Sequence, residues 1–169
     1  ETLHRETGRR GAMITGGITL STGDGLGPYW IAPRLFEFQR QNPHIQVRLI
    51  VREEPPDLLA DEADIAIVFA EPRQHEVISH KLGVQHYVGF ASEKYLEEHG
   101  RPESVFEYYK HRCILHTSYV NQVDRWAPRI QEMRKMIEFA FLTNSGTAIV
   151  ESCATGGGIG ILPSFLATL

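Results

Sequence analysis

A chain of 169 residues has room for one substantial core or two small lobes, and 17 Lys plus Arg against 21 Asp plus Glu leave a formal charge of -4. That balance offers no global basic face for gripping phosphates, so any DNA contact is expected to lie outside this chain. The only cysteines, Cys113 and Cys153, lack metal or redox spacing and read as small buried hydrophobes of a reduced cytosolic protein; no apolar run is long enough to span a bilayer, and ETLHRETGRRG has no signal-peptide core.

Gly11 and Gly16-Gly17 make a flexible joint ahead of the first strand. Ile18 and Leu20 alternate with Thr19 and Ser21, which predicts that strand. Gly23, Gly25, Gly27 and Pro28 then punctuate the chain. From Trp30 the apolar positions Ile31, Leu35 and Phe38 follow helical spacing, and Asn42-Pro43 ends the helix because the residue before proline avoids helical geometry. Ile45, Val47, Leu49 and Val51 alternate as a second strand.

A strand, helix and parallel strand cross over right-handed, and ligands of such sheets sit outside the carboxyl ends of the strands. Ser21 to Leu26 therefore fall at a binding edge. Unpaired N–H groups at the helix start favour an anionic or strongly accepting ligand, and Thr22 is the natural side-chain donor. Two readings of STGDGLGP stay open, because Asp24 would repel a second anion and a tight turn with an Asp cap explains the same residues.

Farther along, the Pro55-Pro56 turn is followed by a short helix around Asp57 to Asp61. A nearly continuous apolar strand, Asp64 to Phe69, reads as a central parallel strand buried on both faces. Val77 to Ser92 reads as two strands about a turn at Gly83. Ser92 caps the helix SEKYLEEHG, with Gly100 as a left-handed stop, and Ser104 opens VFEYYKHR. CILHT, Cys113 to Thr117, is a strand; a loop with Trp126 follows. IEFAFLT, Ile137 to Thr143, is another strand, Asn144 or Ser145 caps a helix through Cys153, and Gly156 to Gly158 release the chain into IGILP.

Four stretches carry a family resemblance: TGDGLGPYWIAPRLFEFQRQNPHIQVRL, EADIAIVFAEP, VGFASEKYLEEHGRP and ESCATGGGIGILPSFL. In this order and spacing, from Gly16 to Leu166, the chain resembles the effector-binding domain of LysR-type transcriptional regulators. The resemblance implies an α/β, periplasmic-binding-protein-like (type 2) fold with two lobes, a hinge and an interlobe ligand cleft. It also implies a small-molecule effector and DNA contact only through a separate N-terminal helix-turn-helix. On this basis residues 1–16 are the end of a linker helix plus the joint, and 17–169 the effector domain. Lobe I would take about 17–87 plus 162–169 and lobe II about 88–161, with hinges near Tyr87 to Ala91 and Ile161 to Ser164. Family domains continue past I-G-I-L-P, so the C-terminal part of the first lobe is expected to be missing. Relatives often carry an arginine where this chain has Val68, which makes an obligatorily anionic effector less expected.

Polar residues at strand ends and helix starts are the candidate ligand contacts: Ser21, Thr22, Asp24, Gly25 and Phe69 in the first lobe, Thr117, Ser118 and Asn144 in the second. Ordinary capping or loop solvation is the competing account of the second-lobe three. The helix Tyr29 to Arg40 carries more large apolar residues than one core-facing stripe holds. In the family it pairs with the last second-lobe helix of another subunit, which implicates Trp30, Leu35, Phe38, Thr147 and Glu151 in a homodimer interface. Packing of the same helix under its own sheet would also account for it.

Catalytic patterns are missing. The eight histidines sit mostly at turns or alternate with exposed positions, without HExxH or zinc spacing. No serine has a nucleophile-elbow context, and neither glycine cluster has a phosphate-loop or GxGxxG order. The expectation is a non-enzymatic regulatory domain without cofactor, metal or membrane contact. An extracytoplasmic solute-binding protein of the same fold is the alternative, and a helix-turn-helix upstream would separate the two.

Overall fold

The computed structural model of the chain describes residues 15–69, 76–118 and 135–168. The chain divides into two compact units, residues 1–82 and 83–169.

In the first unit β1 (Gly16–Thr22) is flanked by β2 (Ile45–Val51) and β3 (Ile65–Ile67), all parallel, in the order β2-β1-β3. Glycines 23 to 27 release the chain from β1. A single π-helical turn, Gly27–Ile31, runs straight into α1 (Ala32–Gln41), so the helix begins three residues before the expected Trp30. Gly27 is required there by space, since a Cβ would sit 2.7 Å from Val51 Cγ2 and 3.2 Å from Thr22 Cγ2. Asn42 closes the helix, its N–H donating to Phe38 O at 2.9 Å, one residue before Pro43.

Leu20, Ile31, Pro56 and Ala63 are the buried apolar side chains of this unit among the described residues. Of the expected helix face only Ile31 is buried; Leu35 is half-buried, while Trp30, Phe36 and Phe38 are exposed. β3 corrects the expectation of a doubly covered central strand. It lies at the edge of the described sheet and Ile65 is exposed, so β1 holds the central place. Asp64 fastens β3 to β1 by accepting from Thr19 N at 2.7 Å while its own N–H donates to Thr19 O. The expected helix at Asp57 to Asp61 is a turn, closed by Asp57 Oδ1 accepting from Leu59 N and Ala60 N.

The second unit carries a four-stranded sheet in the order β4-β7-β5-β6, from β4 (Tyr87–Phe90), β5 (Cys113–His116), β6 (Phe139–Thr143) and β7 (Ile159–Pro163). β5 runs parallel to both neighbours, and β7 runs antiparallel to β4, pairing Tyr87 with Pro163 and Phe90 with Gly160. The two segments expected to serve as hinges thus pair with each other. Residues 78–86 form no strand, contrary to the two-strand expectation for Val77 to Ser92. Ile78, Leu82 and Val84 lie at even positions in sequence yet pair with no strand among the described residues.

Helix α2 (Glu93–His99) starts at Ser92, whose Oγ accepts from Tyr95 N at 3.2 Å, and stops at Gly100. That glycine has φ 82° and ψ 163°, a positive-φ break distinct from the expected left-handed helical stop. Ser104 opens a 3₁₀ segment, Val105–Lys110, without lending its side chain. Helix α3 (Gly146–Ala154) is capped by Ser145, not Asn144, through acceptance from Ala148 N at 3.2 Å. Tyr95, Ile114, Leu115, Ile149, Ile159 and Leu162 supply most of this unit's core. The close seat of α3 on β7 requires Gly160, where a Cβ would collide with Cys153 Sγ and lie 2.6 Å from Ile149 Cγ2. The expected Trp126 loop lies outside the described residues.

Candidate functional site

β1 is the middle strand of its sheet, and the chain leaves it through a helix that returns on the β2 side, while β3 lies on the other. The carboxyl ends of β1 and β3 therefore meet where the connections diverge, the usual ligand position in open parallel sheets. Ser21 and Thr22 occupy that end. Both are almost wholly buried, at 1% and 3% exposure, and neither Ser21 Oγ nor Thr22 Oγ1 has a hydrogen-bond partner among the described residues. Leaving a buried hydroxyl unpaired costs about 1–3 kcal/mol, so two in succession mark a strand end kept polar against its own stability.

The surrounding residues leave room. The backbone of Thr22 is engaged, its carbonyl accepting from Arg52 N at 2.9 Å. Phe69, two residues past β3, brings its ring to Gly23, where a Cβ would lie 4.0 Å from Phe69 Cε2. A Cβ on Gly25 would meet nothing within 4 Å. Leu26 stands at the helix cap and brings no side-chain acceptor. Asp24 is half-buried in the same turn and holds an interaction of its own. Ser21, Thr22, Asp24, Gly25 and Phe69 thus share one sheet edge.

The carboxyl edge of the second unit is built from β5 and β6. His116 pairs with Thr143 in the ladder, and Thr117 N donates to Thr143 O at 2.8 Å. Ser118 folds back on His116, its Oγ 2.6 Å from Nδ1 and its N–H 3.3 Å from the same atom. Thr143 Oγ1 accepts from Ser145 N at 3.1 Å, fixing the turn into α3. Ser118 is half-buried, whereas Thr117 and Asn144 are exposed. Ser118, Thr117 and Asn144 are thus the ends of two adjacent parallel strands.

Sequence reasoning missed His116. It is not a turn histidine but the last residue of a fully buried strand, at 4% exposure. The unbroken apolar run Cys113-Ile114-Leu115 ahead of it was the available signal. Burial pushes the thiols of Cys113 and Cys153 up to about 11, which leaves them protonated and unreactive at neutral pH. The Glu62 carboxyl is held below its ordinary range by the Asp57 N–H and then by Arg52, a pairing that ties the loop after β2. Among the described residues no three His, Cys, Asp or Glu side chains group as metal ligands, and no helix is long and apolar enough to cross a membrane.

Comparison with known proteins supplies the family context. The family model of the LysR substrate binding domain matches residues 12–169. An uncharacterized HTH-type transcriptional regulator of Haemophilus influenzae is 29% identical over 156 residues, which is 92% of this chain and 54% of that protein. The HTH-type transcriptional regulator CrgA of Neisseria meningitidis is 29% identical over 137 residues, 80% of this chain and 46% of its own length. The chain thus spans about half the length of these relatives. Among solved structures, the CrgA regulatory domain superposes with a TM-score of 0.77 at 25% identity, covering 92% of this chain and 76% of that one. Full-length AphB of Vibrio cholerae matches in fold, with a TM-score of 0.69 at 20% identity over 90% of this chain and 52% of its own.

Proposed function

We propose, from the premise that this chain belongs to the LysR substrate-binding domain family, that it senses a small polar or weakly acidic effector at the carboxyl edges of its sheets. It relays occupancy to a DNA-binding domain carried elsewhere in the same protein, as the helix-turn-helix names of its relatives suggest. The observation that carries this reading is the pair of buried hydroxyls, Ser21 Oγ and Thr22 Oγ1, that have no hydrogen-bond partner among the described residues.

An effector whose acceptor reaches Thr22 Oγ1 would satisfy that hydroxyl, while Ser21, the preceding residue of β1, presents its own hydroxyl to the opposite face of the sheet. Gly25 and the Phe69 ring would give it space and an apolar wall. Thr117, Ser118 and Asn144 offer a second set of polar groups at the other sheet edge. To pass a signal onward the effector must bind two conformations of the domain with different free energies.

The proposed protein is a homodimer or higher oligomer. Trp30 of the π-helical turn and Leu35 and Phe38 of α1, with Thr147 and Glu151 of α3, are the proposed contact residues, supported by the exposure of Trp30 and Phe38 and by the lack of any buried side chain on α1.

The test is a thermal-shift screen of small polar metabolites on the intact chain, followed by titration of each stabilising compound into Thr22→Val. A true effector raises the parent's Tm and binds the variant at least tenfold more weakly. Equal affinity for both removes Thr22 from the site.

A further inference from the structure

A single stretch of chain, from Arg52 to Asp64, brackets the carboxyl end of β1. At its start, just past β2, Arg52 N donates to Thr22 O at 2.9 Å. At its end, just before β3, Asp64 N donates to Thr19 O at 3.0 Å and Asp64 Oδ2 accepts from Thr19 N at 2.7 Å. Thr19 to Thr22, the part of β1 that carries both buried hydroxyls, is therefore held by the two ends of one loop.

A side-chain pair closes that loop. Arg52 Nη1 donates to Glu62 Oε2 at 2.9 Å, and the same oxygen accepts from Asp57 N at 3.0 Å. Arg52 Nε donates to Glu54 O at 2.8 Å, which fixes the guanidinium from a second side. The Asp57 N–H and then Arg52 hold the Glu62 carboxyl below its ordinary range, so the pair stays charged at neutral pH. Among the described residues the other ion pair of this unit, Glu37 with Arg40, lies within α1, so Arg52 with Glu62 is the one that ties a loop. Both side chains are partly exposed, at 35% and 44%, and a pair so exposed adds little to global stability. Its effect is local.

We propose that Arg52 is a positioning residue for the effector edge. By closing the loop through Glu62 it keeps its own N–H on the Thr22 carbonyl, and so fixes the direction in which the Thr22 hydroxyl meets a ligand. The inference rests on the reading of Thr22 as a ligand contact, and Arg52 acts through Thr22 without touching the effector. The carbonyl bond sets the Thr22 backbone, and the backbone sets the Cα–Cβ direction and the allowed rotamer of a β-branched side chain. Methyl and hydroxyl share that Cβ, so the methyl reports where the hydroxyl points. The methyl has a fixed neighbour by which to be read, since a Cβ on Gly27 would lie 3.2 Å from Thr22 Cγ2.

The test is threonine-methyl NMR with amide hydrogen exchange on the intact, ligand-free chain, its Arg52→Met and Glu62→Ala variants, and the double variant. In each single variant the amide of residue 52 should exchange about two- to fivefold faster than in the parent, the range an exposed ion pair can supply. The Thr22 methyl should shift and populate a second χ1 rotamer, while the amides of Ile18 and of Tyr95 in the second unit keep their parental rates. The double variant should match the more affected single one, because both substitutions cut the same tie. A Thr22 methyl that superposes on the parent's in either single variant overturns the proposal. Equal acceleration at residue 52 and Ile18 overturns it as well, since that is a general loosening of the sheet, and so do additive effects in the double variant. The effector reading fails separately: a ligand bound equally by the parent and Thr22→Val removes Thr22 from the site and leaves these ligand-free results standing.

Discussion

Ser118 Oγ lies 2.6 Å from Nδ1 of the buried His116, and the Ser118 backbone N–H points at the same nitrogen from 3.3 Å. A backbone N–H only donates, so Nδ1 is the acceptor and the ring proton of the neutral imidazole sits on Nε2. The hydroxyl then spends its hydrogen on His116 and offers only lone pairs outward. Ser118 is therefore suited to receive a hydrogen bond from a ligand donor, whereas Thr22 Oγ1, without a partner among the described residues, can give one.

Replacing His116 should show how far the second unit depends on this contact. His116→Ala removes a buried side chain and strands the Ser118 donors, so it should cost about 2–4 kcal/mol in urea unfolding. Ser118→Ala keeps the backbone donor on Nδ1 and should cost about 1 kcal/mol or less. Equal losses in the two variants would contradict the assigned roles.

Gly158 provides a backbone test. Its φ of 146° is one that L side chains rarely adopt, and a Cβ there would collide with the Arg112 carbonyl, which accepts from Ile159 N at 2.8 Å. Gly158→Ala should destabilise by about 1–3 kcal/mol through strain and a disturbed ladder between β5 and β7. Gly25→Ala, with nothing near the added methyl and no positive φ, should fall within about 0.5 kcal/mol of the parent. A denaturant midpoint for Gly158→Ala matching that of Gly25→Ala would refute the strain.

The cysteines should be silent in the native state. With both thiols pushed up to about 11, roughly one molecule in a thousand carries a thiolate at pH 8. Ellman's reagent should label neither at that pH until denaturant is added, and both afterwards. The same shifts set a pH dependence. A thiol harder to ionise in the folded state supports folding fully below its unfolded pKa of about 8.5, and that support fades as pH rises from there toward 11. Stability measured by urea should accordingly decline across that alkaline window. Prompt labelling of the native chain would disprove the burial.

Which features were legible in the sequence follows from the range over which each is decided. Ser92 and Ser145 cap their helices through bonds to residues three positions on, so local sequence suffices to find them. The parallel pairing of β1 with β2 follows from a short crossover and the alternation on both sides. Burial of β3 depends instead on what lies beside it, and an apolar run cannot report that. Residues 78–86 fail for the same reason, because alternation becomes a strand only when another strand supplies its hydrogen bonds. Thr22 was legible as a strand-end donor. That its hydroxyl and that of Ser21 are both buried without partners among the described residues is a property of three dimensions alone.

The exposed helix face should control association. Trp30, in the turn ahead of α1, and Phe38, on α1, are 37% and 39% exposed and Phe36 is 69% exposed, an apolar set that water covers at a cost. Trp30 additionally lies under the Arg34 guanidinium, whose carbon is 4.1 Å from the ring centroid, so its face is already half screened. Phe38→Glu should therefore shift the chain toward monomer in sedimentation velocity at high concentration, with no loss in thermal stability of the monomer. A parent that is monomeric throughout, or a variant that associates as strongly, would exclude α1 as the contact.

Ser21 and Thr22 should show function and stability pulling in opposite directions. A buried hydroxyl without a partner costs desolvation free energy in the unliganded protein, and deleting it recovers part of that cost. Ser21→Ala and Thr22→Val should thus leave the ligand-free chain as stable as the parent or raise its stability by about 1 kcal/mol in urea unfolding. Thr22→Val keeps the methyl that packs near the Gly27 backbone, so its shape is preserved while its donor is lost. The same two variants should lose most of the Tm increase that an effector gives the parent, because the polar atoms a ligand would satisfy are gone. A clear destabilisation of both ligand-free variants would mean that the hydroxyls already serve the fold. Their isolation at the end of β1 would then need a structural explanation and no effector.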